Sequence, residues 1–366
     1  MVEYLSGNRI QGSSTLTVQP AQTSWKEIGR FTVTTATDEI VVRGLNSATS
    51  GSMTEKDQIK VLIHAIGSSS GNLDACVIRF NGENTSSGAS RYTVTKSNND
   101  SADDSNVNEN GLNIMSSNIT GLDFFCEMDI TNNTGHEKIC FANTVGYNSD
   151  GAGTTPNRKE MIGKWIETSD RINKVTLANR DGSGNFAAGS EVVVLGMNVD
   201  EADSGTNFWQ ELTTTDNEMT GNSSGNTVFE TETFAKKKWL MVEYYLKSSG
   251  DPRTNFNDID AGHYAWTYTD DGGTQNDGGT SNSSAGWHYG GNEVMGTAFV
   301  VNKEDAEKLY LVHTNYNSGT GDGTTLTRRE IGGKFAKTDQ QIEKIRFYSS
   351  SVTGYAGTYM RVFGSD

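Results

Sequence analysis

The octapeptide "RKEMIGKW" at 158–165 returns as "RREIGGKF" at 328–335, an offset of 170 (328 minus 158). The same offset joins "HEKICFANTVGY" (136–147) to "AEKLYLVHTNYN" (306–317) and "GAGTTPNR" (151–158) to "GDGTTLTR" (321–328). Each half closes on a strand-like run before Gly, "GSEVVVLGM" (189–197) and "GTYMRVFGS" (357–365). Each also opens alike, with "SWKEI" (24–28) against "FWQEL" (208–212) and "IKVLIHAIGSSSG" (59–71) against "KKWLMVEYYLKSSG" (237–250). A duplication on this scale means that one fold is used twice, with insertions confined to loops. The expected organisation is an N-terminal arm at 1–20, a first repeat at 21–199 and a second at 206–366. The acidic "NVDEADSGTN" (198–207) is the link between them.

The repeated unit reads as all-β. Only 34% of residues are hydrophobic and Gly numbers 41, with Asn, Ser, Thr and Asp between short apolar runs. Apolar residues at helical spacing are nearly absent, whereas alternating runs recur every ten to fifteen residues or so, with turn chemistry between them. Strands are expected in the first half at 28–34, 38–44, 58–66, 75–81, 90–95, 122–131, 137–145, 158–165, 171–179 and 190–197. In the second they are expected near 227–234, 237–247, 253–258, 262–268, 295–302, 307–315, 328–335, 341–348 and 356–363. This spacing predicts two tandem homologous antiparallel β-sandwich domains, jelly-roll-like, after a short arm.

Net charge is −16 and the sequence pI about 4.8. Such a surface repels phosphate backbones and anionic lipid, so neither nucleic acid nor membrane is an expected partner. The polar opening "MVEYLSGNRIQGSS" does not read as a secretory leader, and no apolar run reaches the length of a membrane span. Cys76, Cys126 and Cys140 are odd in number and lack C-x-x-C spacing, so buried reduced thiols are expected, an approach of Cys126 and Cys140 across the turn-like "TNNTGHEK" being the alternative. The Asn-X-Ser/Thr matches at Asn84, Asn132, Asn222 and Asn282 follow from a chain rich in these residues.

On a strand, Arg158, Glu160 and Lys164 share one face, and Arg328, Glu330 and Lys334 share the matching face of the second copy. Met161, Gly163 and Trp165 point the other way, toward a core, with the Gly leaving room for a neighbouring ring. The charged ladder is expected on a solvated strand face, a sugar or interface contact being the alternative.

A search for reactive groupings yields no expected catalytic residue. The five histidines, His64, His136, His263, His288 and His313, are single, and His313 aligns with Asn143. The aligned acids Glu27/Glu211, Glu137/Glu307 and Glu160/Glu330 read as surface charge rather than a glycosidase pair, so an enzyme is not expected. Two stretches, "SNNDSADDSNVNEN" (97–110) and "TDDGGTQNDGG" (269–279), read as long solvated loops; Asp103, Asp104, Asp270, Asp271 and Asp277 in them could collect Ca²⁺. Aromatic residues in "GHYAWTYTDD" (262–271) and "AGWHYGG" (285–291) could stack on a sugar ring. Trp266 fits a core strand as well, while Trp287 and Tyr289 lie in a Gly-rich stretch and are the better ligand-binding candidates.

The opening "YLSGNRIQGSS" (4–14), and "AGTTPNRKEMIGKW" (152–165) followed by "GSEVVVLGM", resemble tandem β-sandwich structural proteins of marine tailed viruses. The resemblance implies a component of the virion or extracellular surface: a capsid decoration, turret, fibre or capsid protein. It would associate with itself and with other virion proteins, without a cofactor. A carbohydrate-binding host-recognition protein, meeting a cell-surface glycan, is one alternative. A double-jelly-roll major capsid protein is another.

Overall fold

The structure, a computed structural model, describes residues 25–44, 53–69, 73, 76–83, 92–97, 103–115, 121–146, 149–180, 183–198, 207–213, 217–218, 228–247, 252–273, 275–287, 293–317, 325–348 and 358–366. The expected arm at 1–20 and most of the link lie outside these residues. Among the described residues there is no α-helix, only one 3-10 turn at Met53–Glu55, and no helix is long and apolar enough to cross a membrane.

The first half begins with strands β1 (Lys26–Thr32), β2 (Glu39–Arg43), β3 (Gln58–Ile66), β4 (Cys76–Phe80), β5 (Tyr92–Ser97) and β6 (Asp103–Glu109). It continues with β7 (Leu112–Met115), β8 (Asp123–Thr131), β9 (Lys138–Gly146), β10 (Asn157–Trp165), β11 (Lys174–Asn179) and β12 (Glu191–Met197). The second half opens with β13 (Gln210–Glu211), β14 (Asn217–Glu218), β15 (Val228–Glu230), β16 (Trp239–Lys247), β17 (Arg253–Phe256) and β18 (Tyr264–Asp270). It closes with β19 (Asn276–Asn282), β20 (Glu293–Val301), β21 (Lys308–Asn317), β22 (Leu326–Phe335), β23 (Ile345–Tyr348) and β24 (Tyr359–Ser365).

The first large sheet has the order β1-β12-β3-β8-β9-β10-β5-β6, and the second β13-β24-β16-β20-β21-β22-β18-β19. Read strand by strand, the two orders correspond. The small sheets, β2-β11-β4-β7 and β15-β23-β17, correspond over their first three strands. Two stretches expected as loops are partly strand: β6 pairs with β5, and β19 with β18, at the same edge of each large sheet. Their Asn-, Asp- and Gly-rich sequences lack the apolar alternation by which strands are recognised.

Three apolar clusters place the layers. One fills the space between the first large and small sheets, with Ile63, Phe80, Phe124, Trp165 and Val194 among its members. A second, with Phe256, Tyr264, Tyr310 and Phe335, fills the equivalent space in the other half. The third joins the outer faces of the two large sheets, packing Leu62, Phe125, Val145 and Val193 together with Trp239, Phe299, Leu309 and Leu311. The large sheets are therefore covered on the inner face and over part of the outer one. That accounts for the unbroken "VVVL" of β12, in which Val192 and Val194 face one cluster and Val193 and Leu195 the other.

Corresponding positions also share their local bracing. Asn132 donates from Nδ2 to the carbonyls of Met53 (3.0 Å) and Lys56 (3.1 Å) and accepts from the Ile172 amide (2.7 Å). Asn302 does the same toward Lys237 (3.0 Å), Ile342 O (3.0 Å) and Ile342 N (2.6 Å). Both side chains are buried, and the Asn132 amide is committed to the fold. Lys138 and Lys308, both buried, each donate to a carbonyl of their own turn, His136 O or Ala306 O, and to one of the segment that follows the repeated octapeptide, Glu167 O or Lys337 O. All three cysteines are free and buried; burial pushes the thiols of Cys76 and Cys126 up to about 12 and that of Cys140 further still.

Candidate functional site

The charged face of the repeated octapeptide is not solvated, as its sequence suggests, but faces the second large sheet. Arg158, Glu160, Glu330 and Lys334 are buried, while Lys164 and Arg328 keep more than a third of their side chains in water. The reason is tertiary: part of the outer face of each sheet is closed by the other copy of itself.

Arg158 lies 3.6 Å from Glu160 on its own strand and bonds to the Thr269 hydroxyl across the gap. Glu160 lies 3.7 Å from Arg328 of the second copy. Beside them, Lys60 of β3 reaches Glu127 and Asp129 of β8, its ammonium 4.9 Å from the centre of the Phe299 ring. His313 bonds through Nδ1 to Glu330 and lies 3.9 Å through Nε2 from Glu127. A further node gathers on Glu191, which accepts from Arg30 (3.1 Å), Thr32 (2.7 Å) and, from the other half, Trp239 Nε1 (3.1 Å). Lys238 lies 3.0 Å from the same carboxylate. The turn at 149–152 completes the seam: Lys334 donates to Ser149 O at 2.6 Å, Ser281 N to Ala152 O at 2.7 Å, and Gly151 N to Glu307.

Burial alone would drive each of these groups toward its neutral form, and their partners oppose it. For Lys60, desolvation lowers the pKa, but Glu127 and Asp129 more than reverse it and hold it raised. For Glu127, desolvation raises it, but Lys60 and His313 hold it lowered. Burial likewise depresses His313, yet Glu330 and Glu127 keep it above its ordinary value. Asp129 is pushed up to about 6, first by burial and then by the Glu127 charge. Glu191 is held low against desolvation by Lys238, Thr32 and Arg30. The grouping is thus a set of mutually neutralising charges closed between two sheets, suited to holding the halves in one register.

The other expected site residues are placed as follows. Trp287, expected exposed, is wholly buried, stacked on Tyr244 (6.0 Å between centroids, 17° between planes) and edge-on to Phe256 and Tyr310. A ring enclosed in this way offers no face to a sugar. Trp266 is also buried, in a slot where a Cβ on Gly278 or Gly286 would meet its ring at 1.9 or 2.3 Å. Tyr289 lies outside the described residues. Asp270 holds Arg329 with two bonds (2.6 and 2.7 Å), the guanidinium lying 4.0 Å over Tyr268. Asp271, at φ 50°, turns the chain and accepts from Arg328 N at 2.8 Å. Asp103 and Asp104 stand on β6 and Asp277 on β19; their side chains lie outside what is described. Among the described residues no three His, Cys, Asp or Glu side chains are grouped to hold a metal ion.

Sequence reasoning missed Lys60, Glu127, Asp129 and Glu191 altogether. A signal was present for three of them: Lys60, Glu127 and Asp129 are charges inside otherwise apolar strands, "QIKVLIHAI" and "DFFCEMDIT", while Glu191 opens β12. Lys60 and Glu127, so placed, lie on a face that is covered. No protein-family model matches this chain, and no curated protein matches it.

Proposed function

We propose that this chain is a structural component of a virion or comparable extracellular assembly, a decoration, turret, fibre or capsid protein. The observation that carries the reading is the internal seam: the one motif spelled twice serves to lock two copies of a sheet together, as a building block requires. The acidic residues best placed for chemistry, Glu160 and Glu330, face arginine or histidine partners inside that seam. We read each half as a jelly roll. The order β1-β12-β3-β8 opposite β2-β11-β4-β7 is the expected one for eight strands, with β5–β6 and β9–β10 inserted as hairpins that widen the large sheet. In this reading the two sandwiches are tandem copies joined face to face.

A double-jelly-roll major capsid protein is a narrower version of the same reading. Host recognition through a glycan loses its leading residue, because Trp287 belongs to the core. Cryo-electron microscopy of native particles from the source, with quantitative mass spectrometry of their proteins, tests the proposal. The chain is expected as a stoichiometric particle component, and its absence from purified particles would overturn the reading.

A further inference from the structure

The two large sheets do not mate through equivalent surfaces. In the second sheet the cross-strand rows Val301/Leu309/Lys334 and Phe299/Leu311/Gly332 are covered. In the matching rows of the first sheet, Ile139/Lys164 and Asp129/Phe141/Ile162, the outer positions are open, Ile139 to 58% and Ile162 to 51%, while Phe141 and Lys164 are half-buried and Asp129 is held by Lys60 at the edge of the internal contact. At the other end the relation reverses. Phe125, Val145 and Arg158 form a covered row in the first sheet, whereas the matching Met295, Asn315 and Arg328 are exposed, Met295 to 58%.

One end of the first sheet is therefore seated on the opposite end of the second. Each sheet keeps one unmated end, and each unmated end is the counterpart of a surface that is mated within the chain. Among the described residues, six of the eight exposed large hydrophobic side chains fall on these two ends: Ile139, Ile162 and Ile166 on one, Met295, Leu326 and Tyr359 on the other.

We propose that copies of this chain associate head to tail, the Ile139–Ile162 end of one copy seating on the Met295–Tyr359 end of the next. The inference deepens the assembly reading, and rests on it, by naming the partner as a second copy of this chain. The contact would repeat between chains what the sheets already do within one. It would be a more polar version. Leu62 and Val193, apolar in the internal contact, correspond in register to Glu243 and Arg361 on the free end. Each free end carries charges of both signs, Glu137 beside Lys164 (2.8 Å) on one and Arg361 beside Glu211 (4.0 Å) on the other, so the match between them rests on the exposed apolar area and on its correspondence with the internal contact. A pairing of unlike surfaces is not satisfied by a dimer, since an unmated end always remains; it closes into a ring or continues as a filament.

The test is the mass of the full chain by sedimentation velocity and light scattering as concentration rises. Two variants accompany it, Ile162→Glu at one end and Met295→Glu at the other, each checked for an unchanged thermal transition. The wild type is expected to grow beyond a dimer with concentration. Each variant is expected to stay monomeric, and an equimolar mixture of the two to form a dimer and nothing larger, because each retains one intact end. A wild type that stays monomeric, a variant that assembles as the wild type does, or a mixture that stays monomeric overturns the proposal. A chain monomeric on its own yet present in native particles would sink this inference and leave the assembly reading standing; a chain that oligomerises but is missing from particles would do the reverse.

Discussion

Glu160, in the first copy of the repeated octapeptide, lies 3.7 Å from Arg328, in the second. The two residues that match them, Arg158 and Glu330, face each other closely enough for the Glu330 charge to act on the Arg158 guanidinium. A motif duplicated in sequence thus meets its own duplicate in space, and four charges share one partly dry seam.

Removing one member of such a group leaves its partners charged and buried. Arg158→Met is therefore expected to cost about 3–5 kcal/mol, read as a shift in urea midpoint at unchanged slope. Lys164→Met, at the half-exposed end of the same strand face, should change stability by well under about 1 kcal/mol. Equal effects from both variants would contradict the buried seam.

The seam should make stability depend on pH in a stated sense. His313 has a raised pKa, so its contribution is complete below the unfolded value of about 6.5 and is lost as pH climbs through the folded value. Asp129, pushed up to about 6, acts in the same direction, its ionisation in the folded state costing stability between about 4 and 6. Glu127, held low, works oppositely, its share present above the unfolded value of about 4.5 and lost as pH falls through the folded value. The urea midpoint is expected to fall as pH rises from about 6 toward 9, and His313→Asn, which installs the residue found at Asn143, should flatten that limb. A midpoint that rises over this interval would refute the assignment.

Asn302 spans three backbone groups from inside the core. Asn302→Ala strands at least two of them without water and should destabilise by about 2 kcal/mol or more. Asn132→Ala should match it, since that side chain likewise holds two carbonyls and one amide; differential scanning calorimetry of both variants checks the pair.

Trp287→Ala is expected to lower stability by about 3–5 kcal/mol through the cavity left beside Tyr244 and Phe256. The loss should appear in chemical denaturation whether or not any glycan is present.

Gly333 lies opposite Tyr310, and a Cβ on it would fall 2.2 Å from that ring. Gly333→Ala should therefore cost about 1–3 kcal/mol. Combining it with Tyr310→Cys, the residue that stands opposite Gly163 in the first copy, should recover part of the loss. A double-mutant cycle with strictly additive energies would exclude the contact.

The sequence by itself determined the strand-rich class, the duplication and most strand positions, because alternation along a strand and a fixed offset between copies are local properties. β3, β8, β9, β10 and β12 lie within a residue of where alternation put them. It could also say which face of "RKEMIGKW" holds Trp165, since period 2 leaves only two choices. What lay on the other face was decided by tertiary structure alone. A strand with one apolar and one charged face looks the same whether the charges meet water or a second sheet with complementary charges; only the docking of the two copies separates those cases for Glu160 and Arg328. Trp287 was misplaced for a related reason. The Gly residues around it read as an open loop, whereas the rings of Tyr244, Phe256 and Tyr310, scattered over sixty-seven positions of sequence (244 to 310), converge on it in the fold.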